Sequence, residues 1–340
     1  MRKHLFSFLI IVVTVITACD SNKKKEELVA PFLTAKEAVL FNQLIYKDSL
    51  QEAFAKYASA YEVIFIPQAV NGNYAIITKD KAANRYALII RGSVMEFSNE
   101  GFQNFILQDF NILRIRKWNY TDTVKDAYIS NGAWIGFQNL LLLKDKQTGL
   151  GIKEFIAQKI PANSSIVITG HSLGGNLAYP FAGYLKKELN KDKKINLQLI
   201  TFGAPAVGNA AFVQDVEEKF PDAERYTGSK DIASMFPDVE SIGKLAKMIG
   251  LDSALQLGKL DIYGVNTDKL LSIANMILEK TNVINATNKY VQSQKHLRLL
   301  EDKDQPSSTI PLSTDAIFNR AYQFHRVDMY AELLGGKTLE

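Results

Sequence analysis

Apolar positions along this chain change period several times, and the changes mark its elements. Between residues 34 and 60 they recur at helical spacing: Ala38, Phe41 and Ile45, then Leu50, Phe54, Tyr57 and Tyr61. Thr34-Ala35-Lys36-Glu37 stands just ahead in the order of a capping box, so the pattern predicts one or two helices over 34–60. Strand-like runs follow at 61–66, 74–78 and 86–90, with Asn71-Gly72 as the turn between the first two. Residues 166–169 form a short, apolar, β-branched run of the buried-strand type. Residues 177–189 read as helix and 197–202 as strand again. Such alternation argues for an α/β sheet. From 241 to about 300 helical spacing dominates. Ile242, Leu245 and Ile249 share one face, and Leu270, Ala274, Ile277 and Leu278 share another, which predicts a helix-rich insertion. Residues 305–309 read as a loop and about 315–334 as a final helix. No internal repeat is evident.

Composition narrows the class. The 340 residues are 47% apolar, 22% charged and 10% aromatic, which excludes disordered, collagenous and disulfide-scaffold chains. Forty basic side chains against 36 acidic ones give a net charge of only +4, without the basic stripe that a nucleic-acid partner requires. The single cysteine allows no intrachain disulfide, and four histidines argue against a multi-histidine metal site.

The N-terminus reads as an address. Arg2 and Lys3 precede an apolar stretch from Leu5 to Ile16, shorter than the ~20 residues that span a bilayer, so residues 1–18 are expected to be a secretory signal. The one cysteine, Cys19, follows Ile16-Thr17-Ala18 in a pattern that resembles a bacterial lipobox. Cys19 is therefore the expected lipidation site. Residues 19–33 would be the lipidated cysteine and a polar tether, and 34–340 one folded domain. Each buried methylene of an acyl anchor is worth ~0.8 kcal/mol, so two or three chains would hold the protein on a membrane of the cell envelope. Lys25-Glu26-Glu27 is similar to an export tag of surface lipoproteins, although so short a charge run is more simply a solvated linker.

The chemistry centres on Gly170-His171-Ser172-Leu173-Gly174, which fits G-x-S-x-G with an expected strand before it and helix after it. A serine there sits on a sharp strand-to-helix turn. A Cβ at Gly170 or Gly174 would meet neighbouring backbone, and the helix N-terminus behind Ser172 offers free N–H groups to a developing oxyanion.

The run Gly170-His171-Ser172-Leu173-Gly174-Gly175 resembles the class 3 (fungal-type) lipase family. Three further matches occur in family order. Arg91-Gly92-Ser93 resembles the turn that begins the family's oxyanion hole. Gly136-Phe137 resembles its Gly-Phe pair, with Trp134 where the family usually has histidine. Thr201-Phe202-Gly203-Ala204-Pro205, followed by Val207-Gly208-Asn209, is similar to its Phe-Gly-x-Pro block. The resemblance spans about 74–237 and the final helix. It implies an α/β-hydrolase fold, a mostly parallel central sheet flanked by helices, with the helix-rich insertion before the C-terminal helix.

A serine hydroxyl needs a base to become nucleophilic at neutral pH. His4 lies in the signal, and His171, preceding the nucleophile, is expected to pack inward. His296 and His325 remain, and both satisfy the chain order Ser, acid, His. His325 precedes a terminal helix carrying a tyrosine, similar to the family's last block. His296 sits in a basic stretch expected to be solvated. The resemblance therefore favours His325. Among Asp215, Asp222, Asp231 and Asp238, Asp231 follows a short strand and a turn and has Pro237 after it, which resembles the family's strand-loop-Asp arrangement; Asp238 is second. The implied oxyanion donors are the backbone N–H groups of Leu173 and Ser93. The apolar segment 94–106 resembles the family's lid in position, and the insertion at 241–300 is the other candidate cover; its Lys244, Lys247, Lys259 and Lys269 read as a solvated face.

The resemblance thus implies a serine hydrolase acting on carboxylic esters of acylglycerols or phospholipids through an acyl-enzyme, with no metal or organic cofactor. Two rival readings are a non-catalytic surface lipoprotein, favoured if His325 or Asp231 lies out of reach of Ser172, and a non-lipid carboxylesterase.

Overall fold

The computed structural model describes residues 30–92, 114–189, 193–231, 233–235, 290–301 and 323–339. Cys19, Ser93, Asp238, the apolar segment 94–106 and the lysine-bearing stretch 241–289 lie outside the described residues.

Thr34 and Glu37 form the expected capping box: Thr34 Oγ1 accepts from the Glu37 N–H, and the Glu37 carboxylate accepts from the Thr34 N–H over 2.6 Å. It opens α1 (Ala35–Leu44), and α2 (Leu50–Tyr57) follows. Phe41 of α1 stacks on Phe54 of α2 and meets Tyr61 edge-on. The chain then forms β1 (Tyr61–Phe65), β2 (Ala75–Asp80) and β3 (Arg85–Ile90), an antiparallel meander. Asn71 and Gly72 both take positive φ, 48° and 78°, as a tight turn with this residue pair requires.

Two short strands, β4 (Ile115–Lys117) and β5 (Tyr128–Ser130), precede α3 (Asn131–Leu142) and α4 (Ile152–Lys159). The Gly170–Gly174 motif spans the junction of β6 (Ser165–His171) and α5 (Leu173–Glu188). Then come β7 (Asn196–Phe202), β8 (Gly208–Asn209), α6 (Ala210–Lys219) and β9 (Glu224–Gly228). Residues 290–301 supply β10 (Tyr290–Val291) and β11 (Leu297–Leu300), and α7 (Val327–Leu333) lies near the C-terminus.

The main sheet has seven strands in the order β1-β2-β3-β6-β7-β9-β11, parallel from β3 onward. A four-stranded antiparallel sheet, β10-β8-β5-β4, stands beside it. Every residue of β6 is buried. Its side chains alternate between two cores. Ile166 and Ile168 join Leu177 and Phe181 of α5, whereas Val167 joins Phe41 of α1 and Tyr330 of α7 on the opposite face. Helices therefore cover both faces, and the parallel strands end on one edge.

Where the sequence suggested a helix-rich insertion from 241 to about 300, the described end of that stretch is β-structure. Leu297–Leu300 pairs in register with Arg225–Gly228, so tertiary pairing overrides the local apolar pattern. Trp134, where the family resemblance expects histidine, is half-buried and packs against Trp118 and Phe137. It extends an aromatic cluster that includes Tyr120, Phe181 and Tyr184.

Candidate active site

The C-terminal ends of β6, β7 and β9 converge on one point. Ser172 follows β6 with φ 59° and ψ −128°, a backbone conformation that a non-glycine residue holds only when its surroundings enforce it. The surroundings do so through close backbone packing. A Cβ on Gly170 would lie 2.2 Å from the carbonyl of Gly174, and one on Gly174 would lie 2.1 Å from the carbonyl oxygen of Ile90. The expected need for glycine at both positions is met. Behind the turn, Leu173 opens α5, so its N–H has no intrahelical acceptor and sits at the positive end of the helix dipole.

The structure brings Ser172, His325 and Asp231 together. Ser172 Oγ is 2.7 Å from His325 Nε2, and His325 Nδ1 lies 2.9 and 3.0 Å from the two Asp231 oxygens. With the proton on Nδ1 facing the carboxylate, Nε2 accepts from the serine hydroxyl. All three are buried, Asp231 completely and Ser172 with 8% of its surface exposed. Low exposure strengthens each of these interactions relative to water.

Asp231 is fixed by more than the histidine. Its Oδ1 accepts from the backbone N–H groups of Ala233 and Ser234, and its Oδ2 accepts from the Tyr330 hydroxyl over 2.5 Å. The Tyr330 oxygen in turn accepts from the Gly228 N–H. Burial, reinforced by the Asp231 charge, pushes the Tyr330 hydroxyl well above its usual range, so it remains a donor. Gly203, with φ 55°, floors this arrangement: a Cβ there would lie 2.8 Å from Asp231 Oδ2 and 3.2 Å from His325 Cε1.

His171 packs inward as expected. Its Nε2–H donates to the His325 backbone carbonyl over 2.7 Å. Burial, and then the neighbouring His325, lower its pKa to about 3, so the ring is neutral. On the other side of Ser172, Gly92 donates its N–H to the Tyr46 hydroxyl over 3.0 Å. A Cβ on Gly92 would lie 3.4 Å from Ser172 Cβ, which places Gly92 directly beside Ser172.

The rival candidates fall elsewhere. Asp215 pairs with Lys219 over 2.8 Å and accepts from the Asp122 N–H. Asp222 is exposed in a turn. His296, expected to be solvated, is instead 1% exposed beneath the β9–β11 edge, and burial lowers its pKa. The reason is the unforeseen strand β11, which carries this stretch into the sheet. Tyr330, Gly203 and Tyr46 had no role assigned from sequence. Gly203 was visible within the Phe-Gly-x-Pro block and Tyr330 within the terminal helix, but neither position reveals a partner. Among the described residues no group of three or more His, Cys, Asp or Glu side chains is arranged to hold a metal ion.

A nucleophile elbow on a parallel sheet, with an acid and a histidine from later loops, is the layout of the α/β-hydrolase fold. Comparison with known proteins agrees. Residues 98–241 match the family described as lipase (class 3), and the resemblance read from the sequence holds. Over 171 residues the chain is 26% identical to the secreted mono- and diacylglycerol lipase 1 of Fusarium solani, a match covering 48% of this chain and 43% of that protein. Over 77 residues it is 36% identical to the chloroplastic phospholipase A1-Igamma2 of Arabidopsis thaliana, covering 22% and 15%. The chain thus spans less than half the length of the curated relatives it matches. Among solved structures, that of M37 lipase superposes with a TM-score of 0.64 at 24% identity, covering 89% of this chain and 94% of the other, which establishes the fold.

Proposed function

We propose that the protein is a serine hydrolase that cleaves carboxylic ester bonds of lipids. The observation that carries this reading is the buried contact series from Ser172 through His325 to Asp231, with 2.7 Å between hydroxyl and imidazole.

In the proposed route, Ser172 Oγ attacks the ester carbonyl as its proton passes to His325 Nε2. Asp231, held by Tyr330 and the Ala233 and Ser234 amides, keeps the imidazole oriented and stabilises its charged form. The oxyanion is received by the N–H groups of Leu173 and Ser93, each such donor typically contributing ~3 kcal/mol to the transition state. Collapse expels the alcohol, which takes the proton from His325. Water then attacks the acyl-enzyme with His325 as base, and the carboxylic acid leaves. No step calls on a metal or organic cofactor.

The substrate class follows from the relatives. One is a lipase for mono- and diacylglycerols and another a phospholipase A1, which supports glycerolipid esters for this chain. The proposal extends to location: export directed by residues 1–18 and lipidation at Cys19, with 34–340 folded as one hydrolase domain on the cell envelope. The secreted Fusarium relative supports an extracellular site of action.

The test compares hydrolysis of short and long p-nitrophenyl esters and of phospholipid by the wild type and Ser172→Ala. The variant is expected to lose several orders of magnitude in kcat while remaining folded. Equal background activity in both would end the enzyme reading. For the anchor, Cys19→Ala is expected to abolish incorporation of an alkynyl fatty acid into the expressed protein.

A further inference from the structure

Residues 30–37 are fixed at the end of the sheet remote from Ser172. Ser165, the first residue of β6, donates its hydroxyl to the Ala30 carbonyl. Leu33, 3% exposed, packs into the core that Phe41 and Val167 share. The Glu37 carboxylate lies 3.3 Å from the Arg85 guanidinium and accepts from the Tyr61 hydroxyl. Arg85 opens β3 and pairs in register with Ser165, and Tyr61 opens β1. These polar contacts all lie at the edge where β3 and β6 begin.

The proposed reaction centre lies at the other edge. β6 runs unbroken from Ser165 to His171, and Ser172 follows it. At about 3.3 Å per residue, Ser172 stands roughly 23 Å along the strand from Ser165. Helix α1 crosses the same interval. Glu37 in its first turn meets Arg85 at the start of β3, whereas Tyr46, past its end, meets Gly92 beyond the finish of β3.

Residues 20–29 separate Cys19 from Ala30. A linker of that length spans about 16–19 Å as a coil and at most about 36 Å when fully extended. The coil span falls short of the depth of the sheet. To turn Ser172 toward a bilayer holding Cys19, the linker would have to run back outside α1, a path longer than the straight one through the core. It would then give up most of its conformational freedom. With the linker relaxed, the edge that carries Ala30 faces that bilayer and the edge that carries Ser172 faces away.

We propose that the enzyme hydrolyses ester lipid presented on a second membrane or lipid particle and spares the bilayer in which its own anchor sits. The inference rests on the proposed ester hydrolysis and on the proposed lipidation at Cys19. What it adds is the source of the substrate, set by the opposed positions of Ala30 and Ser172.

The test uses the full lipidated chain reconstituted into vesicles of ether-linked phosphatidylcholine, which offers no carboxylic ester. A fluorogenic ester phospholipid is placed either in the enzyme-bearing vesicles or, in the same amount, in separate enzyme-free ones. The wild type is expected to cleave the lipid of separate vesicles at least as fast as that of its own. A second protein carries about 30 Gly/Ser residues inserted after Glu27, outside the folded domain, which raises the coil span to about 32–38 Å. It is expected to cleave the lipid of its own vesicles about fivefold faster or more, with its rate on separate vesicles changed less than twofold. Faster cleavage of its own vesicle's lipid by the wild type, or no gain there from the longer linker, overturns the proposal. Hydrolysis of p-nitrophenyl butyrate by the same vesicles reports the reaction centre, and flotation of the chain with them reports the anchor. Loss of the first signal defeats the hydrolase reading and loss of the second the anchor, each taking this proposal with it. With both signals present, the two lipid placements decide the source of substrate alone.

Discussion

The imidazole of His171 holds the backbone of His325: its Nε2–H reaches the His325 carbonyl over 2.7 Å, and the two rings lie 4.8 Å apart. The residue before the proposed nucleophile thus fixes the loop that carries the proposed base. Removing this donor while keeping the volume, as in His171→Phe, leaves a buried carbonyl without its partner, at a typical cost of 1–3 kcal/mol, here about 2. We expect kcat to fall about tenfold with KM little changed, since a small displacement of a base lowers the rate without altering ground-state binding. His171→Gln, which can still donate, is expected to recover part of the loss. Equal kcat in His171→Phe and wild type would show that His325 needs no such hold.

The same ring makes the fold sensitive to acid. Burial lowers the His171 pKa to about 3, against an ordinary histidine near 6.5, and His296 is shifted in the same direction. Between those values the unfolded chain binds more protons than the folded one, so stability rises with pH. The contribution is complete above about pH 6.5 and is lost as pH falls toward the folded value, at about 1.4 kcal/mol per pH unit for His171. Denaturant unfolding is expected to show roughly 2 kcal/mol less stability at pH 5 than at pH 7 from this residue alone. His171→Gln should flatten that slope. A slope unchanged in the variant would refute the assignment.

Tyr330→Phe tests the support of the acid. The substitution removes one donor from Asp231 Oδ2 and leaves the Gly228 N–H without its acceptor. We expect destabilisation of about 1–3 kcal/mol and a drop in kcat of about tenfold, because Asp231 keeps its two backbone amides and its contact with His325. Thermal unfolding and steady-state kinetics read the two effects separately.

These relationships show what the chain alone could reveal. The elbow was legible because its glycines are demanded by local backbone geometry, and the capping box at Thr34 because its partners are three residues apart. The choice of His325 over His296 came from family resemblance; local pattern pointed to solvent for a histidine that is in fact buried. That error has a physical source. Leu297–Leu300 is a strand only because β9 lies beside it, and pairing with a distant segment leaves no periodic trace in so short a run. The short strands β4, β5 and β8 escaped for the same reason. Tyr46, Gly203 and Tyr330 were hidden in another way: each acts through contacts to residues remote in sequence.

Tyr46 offers the most discriminating experiment. Its hydroxyl accepts the N–H of Gly92, the residue before the proposed oxyanion donor Ser93. Tyr46→Phe removes that acceptor and keeps the ring, so the turn loses a tie but keeps its packing. We expect kcat to fall several-fold with KM and unfolding midpoint nearly unchanged. Gly92→Ala is harsher, since the new Cβ would lie 2.5 Å from the Tyr46 oxygen and 2.6 Å from the His171 carbonyl oxygen. The double variant separates the two collisions. Deleting the tyrosine oxygen relieves the first and leaves the second, which is with backbone that the elbow holds in place. Tyr46→Phe combined with Gly92→Ala is therefore expected to be as inactive as Gly92→Ala alone. Recovery of activity in the double variant would mean that the tyrosine, and not the close approach of the two backbone turns, sets the geometry beside Ser172.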